Sequence, residues 1–173
     1  MLVVVSDTHA RTDHRLAGRT LDAVREADLV VHAGDFNREP VLDAFHDVSA
    51  ELLGVSGNTD DDAVRDRLPR ARNFEYGGLT FAVTHTRRGG PTALSLFGRE
   101  RDADVVVFGH SHRPALDRSG PVTLLNPGSH AQPRGNRPGH AELEAVADGD
   151  GLRCRLVTPD GEVFERATLT RRR

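Results

Sequence analysis

The chain has 173 residues, of which 37% are hydrophobic and 28% charged, and its 23 basic and 26 acidic side chains give a formal net charge of -3. That length predicts one domain over 1–173, its core in about 1–167, burying roughly 70% of the unfolded surface. A mildly acidic chain with 5% aromatic residues and no tryptophan lacks the basic stripe and stacking platforms of a nucleic-acid surface.

Leu2-Val3-Val4-Val5 is a continuous apolar run, which predicts a strand buried on both faces. It is too short for a signal segment or a membrane span, so a cytoplasmic protein without a membrane partner is expected. Apolar residues at 16, 17, 21, 24 and 27 predict a helix over Leu16–Ala27. Leu29–Val31 predicts a second strand, Pro40–Val48 a helix with proline in its first turn, and Glu51–Val55 a third strand. This β-α-β-α-β alternation predicts a parallel sheet that presents ligands at the carboxyl ends of its strands.

Asn73–Tyr76 and Leu79–Val83 flank Gly77-Gly78, a hairpin signal. Pro91–Arg101 reads as a helix and Asp104–Phe108 as another buried strand. Short strands are then expected at about 115–118, 121–125, 140–147, 151–157 and 161–167, with turns at Asp148-Gly149-Asp150-Gly151 and Pro159-Asp160-Gly161. Cys154, the only cysteine, falls in one of these strands and excludes an internal disulfide and a thiolate metal site. The elements assemble into two packed, mainly β sheets with helices outside.

Five polar clusters follow the predicted strands: Asp7-Thr8-His9, Gly34-Asp35, Gly57-Asn58, His85 and Gly109-His110-Ser111-His112. Asp7, His9, Asp35, Asn58, His85, His110 and His112 are oxygen and imidazole donors, suited to Mn, Fe, Zn, Ni or Mg. Asp7 with His9, and His110 with His112, stand two apart, which in extended backbone points both side chains the same way. Two divalent ions sharing the Asp35 carboxylate would use all seven, and such a pair can bridge a water and lower its pKa from 15.7 towards roughly 7, the chemistry of a hydrolase.

In this order the clusters resemble the calcineurin-like metallophosphoesterase superfamily, especially its small bacterial and archaeal phosphodiesterases of the YfcE/MJ0936 type. Asn126-Pro127-Gly128-Ser129 and Gln132-Pro133-Arg134 resemble the late signature of that group. The resemblance covers about residues 1–157. It implies a four-layer α/β/β/α sandwich, and one ion held by Asp7, His9, Asp35 and His112 with the other held by Asp35, Asn58, His85 and His110. It also implies manganese as the first ion to try, catalytic roles for Asp35, Asn58 and His85, and a homodimer.

Two positions depart from that pattern. Thr59 replaces the histidine that many larger members carry after Gly-Asn, and a threonine is no general acid near neutral pH. A small phosphodiester substrate with a good leaving group is therefore favoured over a phosphomonoester. Arg87 stands where relatives commonly have a second histidine, and it either clamps a phosphate oxygen or is a solvated loop cation. His32 reads as a buried group behind the site, and His14, His46 and His140 as residues of surface-like segments. A non-catalytic, Vps29-like scaffold is the rival reading; the intact ligand set counts against it.

Overall fold

Strands that are apolar at every position need cover on both faces, and the computed structural model shows what supplies it. Residues 1–147 and 151–171 are described. β1 (Leu2–Val5) and β2 (Leu29–His32) are buried throughout. Their side chains alternate between two cores, as the period of a strand requires. Leu2, Val4, Leu29 and Val31 meet Leu79, Phe81, Val83, Val105 and Val107 of a second sheet. Val3, Val5 and Val30 pack instead on Ala23, Val24, Val41, Leu42 and Phe45, from α1 (Gly18–Glu26) and α2 (Glu39–Val48). Each fully buried side chain of this size contributes roughly 1.5–3 kcal/mol.

The remaining elements in chain order are β3 (Leu52–Gly54), α3 (Asp62–Arg67), β4 (Ala71–Tyr76), β5 (Leu79–Thr84), α4 (Gly90–Arg99), β6 (Val105–Val107), β7 (Ala115–Asp117), β8 (Thr123–Asn126), β9 (His140–Ala145), β10 (Leu152–Val157) and β11 (Val163–Leu169). One sheet runs β11-β10-β9-β1-β2-β3, the other β4-β5-β6-β8-β7. Ala82 and Val106 face outward onto Leu94 and Phe97 of α4. The layers are therefore helix, sheet, sheet, helix, the α/β/β/α sandwich expected from the sequence.

Most predicted elements recur within a few residues of the expected bounds. Gly77 and Gly78 both have positive φ, at 55° and 78°, the two-residue turn that joins β4 to β5. The helix expected from Leu16 begins at Gly18, and Leu16 is buried just ahead of it. The short helix α3 has no counterpart in the hydrophobic pattern: its sequence is polar, and it is started by Asp61, whose side chain accepts from Val64 N at 3.0 Å. His140, placed by its neighbours in a surface-like segment, is fully buried, because β9 lies between β1 and β10. The turn expected at 148–151 falls mostly outside the described residues. Among those residues no helix is long and apolar enough to cross a membrane.

Candidate metal centre

β1, β2 and β3 run parallel, as do β5 and β6. Their carboxyl ends deliver Asp7 and His9, Asp35, Asn58, His85, and His110 with His112 to one end of the sandwich. The pairs spaced two apart converge for a different reason than an extended pleat. Asp7, His9, Asp35, His110 and His112 have φ of 55°, 45°, 62°, 70° and 56°, in the left-handed region. Such conformations cost of order 1–3 kcal/mol each and persist only where the surroundings impose them. Here Asp7 N donates to Gly34 O and His9 N to Asp35 O, both at 3.0 Å, which locks two ligand-bearing loops together. The glycines before Asn58 and His110 are steric necessities. A Cβ on Gly57 would stand 2.1 Å from Asp35 Oδ1, and one on Gly109 would stand 2.0 Å from Ser6 Oγ.

The side chains form two touching groups. His9 Nε2 and His112 Nε2 are 3.1 Å apart, and His112 Nε2 is 3.4 Å from Asp7 Oδ1. On the other side Asn58 Oδ1 lies 3.0 Å from His85 Nε2 and 2.8 Å from His110 Nδ1. Asp35 Oδ2 joins the groups, 3.4 Å from His9 Nε2 and 3.2 Å from His85 Nε2. Asp7 is also close to both, since it clusters with His9 and His112 and again with Asp35 and His85. Two carboxylates thus stand between the groups, where sequence reasoning singled out Asp35 alone.

The hydrogen bonds behind the rings decide whether this donor set fits a cation. His85 Nδ1 donates to Ala33 O at 2.7 Å, and His112 Nδ1 donates to the carbonyl of Gln132. With the protons held there, both Nε2 lone pairs face inward, the arrangement that orients metal-bound histidines. Donors bound to one ion at about 2.0–2.2 Å stand roughly 3 Å from each other, the separation seen among these atoms. The residues therefore fit divalent cations. Burial disfavours charge on both Asp35 and His85, yet without an ion a second ring proton, on His85 Nε2 and hydrogen-bonded to Asp35, holds the carboxyl well below its usual range and raises the imidazole; a bound cation would take the place of that proton.

Known proteins share the sequence pattern and the fold. A model of the calcineurin-like phosphoesterase superfamily domain matches residues 1–148. The chain belongs to that superfamily. It is 34% identical over 139 residues, 78% of this chain and 70% of the relative, to a Methanocaldococcus jannaschii protein named a probable metallophosphoesterase. It is 23% identical over 136 residues, 72% of this chain and 81% of the relative, to a phosphodiesterase of the same organism. The crystal structure of Entamoeba histolytica Vps29 complexed with zinc has the same fold. It superposes with a TM-score of 0.74 at 23% identity, covering 98% of this chain and 99% of that one.

Behind the candidate ligands of this superfamily member stand supporting residues that the sequence showed only in part. Asn126 Nδ2 donates to Gly109 O at 2.9 Å and to Ser111 Oγ at 3.1 Å, which shapes the turn carrying His110 and His112. Ser129 Oγ donates to Asp7 O at 2.8 Å. The late Asn-Pro-Gly-Ser signature therefore braces both ends of the site. His32, fully buried, accepts from Gly34 N at 3.1 Å and meets Thr8 Oγ1 at 2.9 Å, so it ties the first two ligand loops together. Asp60 was missed. It is buried and accepts from the backbone N–H of Gly57 at 2.6 Å, Asn37 at 2.7 Å and Asp35 at 3.2 Å. The available signal was an acidic residue two places after Asn58, inside a glycine turn.

The two departures from the superfamily pattern have definite places. Thr59 Oγ1 donates to Asn37 Oδ1 at 2.6 Å and stands 3.4 Å from His9 Nδ1. Arg87 is half-buried, stacks on Phe97 with 4.2 Å from its guanidinium carbon to the ring centroid, and lines a cavity that also touches Asn58 and His85. Thr59 is thus beside the candidate ligands, and Arg87 is partly buried against Phe97 at the wall of a cavity that reaches Asn58 and His85.

Proposed function

We propose that this chain is a divalent-metal-dependent phosphodiesterase with a two-ion centre. Asp7, His9, Asp35 and His112 would hold one ion, and Asp35, Asn58, His85 and His110 the other, with manganese the first to test among Mn, Ni, Fe, Zn and Mg. The observation that carries the reading is Asp35 Oδ2 lying within 3.4 Å of an imidazole nitrogen from each group. When bound, such ions supply an acidified water and neutralise charge on the phosphoryl oxygens.

The chain's own residues set the conditions for hydrolysis. Thr59 N donates to Asp35 Oδ1 at 2.9 Å, which leaves Oδ2 to face both groups. The carbonyls behind His85 and His112 hold those ring protons away from the reacting space. In the net reaction one water oxygen joins phosphorus, one ester P–O bond breaks, and the leaving oxygen takes a proton. The Thr59 hydroxyl proton is committed to Asn37, so the side chain after Asn58 is not set up to protonate a leaving group. This supports diesters with good leaving groups over phosphomonoesters, in keeping with the phosphodiesterase name of one relative.

Hydrolysis of bis-p-nitrophenyl phosphate by metal-stripped protein, with and without added manganese, tests the reading. Activity should need the metal, and Asp35→Asn should lower it by about 100-fold or more, the scale of removing a group that supports transition-state charge. Folded protein that stays inactive with manganese, nickel, magnesium and zinc would favour a scaffold role instead, the reading kept alive by the likeness to Vps29.

A further inference from the structure

A cavity of about 510 Å³ opens beside Asn58 and His85, and Arg65, Arg70 and Arg87 line it with no acidic side chain among its lining residues. Three guanidinia on a wall with no carboxylate are a strong local departure in a chain whose formal charge is -3, although Arg65 also pairs with Asp62 Oδ1 at 3.4 Å outside the lining. Two of them are held in place. Arg65 Nη2 donates to the carbonyl of Asn58 at 3.1 Å, which ties it to a candidate ligand. Arg87 lies on one Phe97 ring together with Arg101, their guanidinium carbons 4.2 and 3.9 Å from its centroid. Its buried Nε meets no hydrogen-bond partner among the described residues. Fixed on Phe97 at the cavity wall and only partly buried, this guanidinium offers a planar fork that matches phosphate.

We propose that this cavity is a subsite for a second phosphoryl group, so that the substrate is a phosphodiester carrying a further phosphate near the scissile one. The inference rests on the phosphodiesterase reading for the position of the scissile group. Asn58 and His85 line both the cavity and the candidate metal centre, which makes the two spaces continuous. No aromatic or large aliphatic side chain lines the cavity, so it offers a nucleobase no stacking platform; its chemistry selects charge. Its volume, within the roughly 300–1,000 Å³ of small-molecule sites, accommodates a phosphoryl group together with part of its linker.

The test is calorimetric binding of thymidine 3′,5′-bisphosphate and thymidine 5′-phosphate to metal-loaded protein, run beside bis-p-nitrophenyl phosphate hydrolysis. The bisphosphate should bind at least about 10-fold more tightly, the worth of one charge-assisted contact. That advantage should disappear in the double variant Arg70→Gln, Arg87→Met, whose methionine keeps an apolar group on Phe97; circular dichroism checks that it is folded. Equal binding of the two nucleotides by the wild-type protein, or an advantage that survives in a folded double variant, overturns the subsite. Failure to hydrolyse the diester, with the bisphosphate advantage intact, would sink the catalytic reading and leave the subsite standing.

Discussion

Thr59 Oγ1 stands 3.4 Å from Nδ1 of His9 while giving its own proton to Asn37 Oδ1. With its hydrogen engaged, the hydroxyl oxygen is placed to accept a proton from Nδ1 of His9, the tautomer that would leave the Nε2 lone pair facing His112. The threonine would thus orient a candidate ligand. Thr59→Val keeps the shape and removes the acceptor. It should weaken manganese binding or activity by about 10–100-fold, the usual cost of losing such a partner, and calorimetric metal titration measures it. Unchanged affinity and rate would show that His9 needs no such orientation.

Asp60 organises backbone rather than substrate. Replacing it with alanine strands the buried amides of Gly57, Asn37 and Asp35, each unmet donor costing about 1–3 kcal/mol. A net loss of about 3 kcal/mol would lower Tm by roughly 6–12 °C in a chain of this size. Scanning calorimetry of Asp60→Ala against Asp60→Asn separates loss of the acceptor from loss of charge.

Buried titratable groups outside the candidate ligand set contribute to the acid limit of stability. Burial pushes the Glu142 carboxyl up, but hydrogen bonds from His140 and Arg19 outweigh it and bring the pKa to about 2. His130 is driven down to about 4, by burial above all. Both groups are depressed in the fold, so both stabilise it fully above their unfolded values and lose that contribution as pH falls. The histidine's share should go between pH 6.5 and 4, and the carboxylate's between pH 4.5 and 2, each at most about 3 kcal/mol. Urea midpoints across this range read the loss. Glu142→Gln should be less stable at pH 7 and show a shallower decline below pH 4.5; an unaltered acid limb would contradict the assignment.

What was legible in the sequence follows from what each residue does. Continuous runs such as Leu2–Val5 and Val105–Val107 announce strands covered on both faces, and each ends at a ligand loop. The seven candidate ligands share one chemical character and were readable as a set. Asp60 acts on backbone N–H groups, which leave no periodic trace, and Asn126, which shapes a turn through a backbone C=O, was legible only through the late signature. α3 was hidden because its stability comes from the Asp61 cap and its contact with α2 rather than from an apolar stripe; with it Arg65 was hidden too. Glu142 in β9 is 2% exposed, a burial that no motif announces. Arg19 and Arg155, 2.7 and 2.8 Å away, make its burial tolerable.

The separation of Asp7 from His110 along the chain carries a lesson about biosynthesis. The amide of His110 donates to Asp7 Oδ2 at 3.0 Å across 103 positions, and β1 has β9 as a neighbour, a strand that begins only at His140. A nascent chain emerging from the ribosome therefore has no such centre to offer until most of its length has been made. On the proposed metal-dependent reading, an ion that needs both ends of this centre stabilises the assembled molecule and not the growing chain.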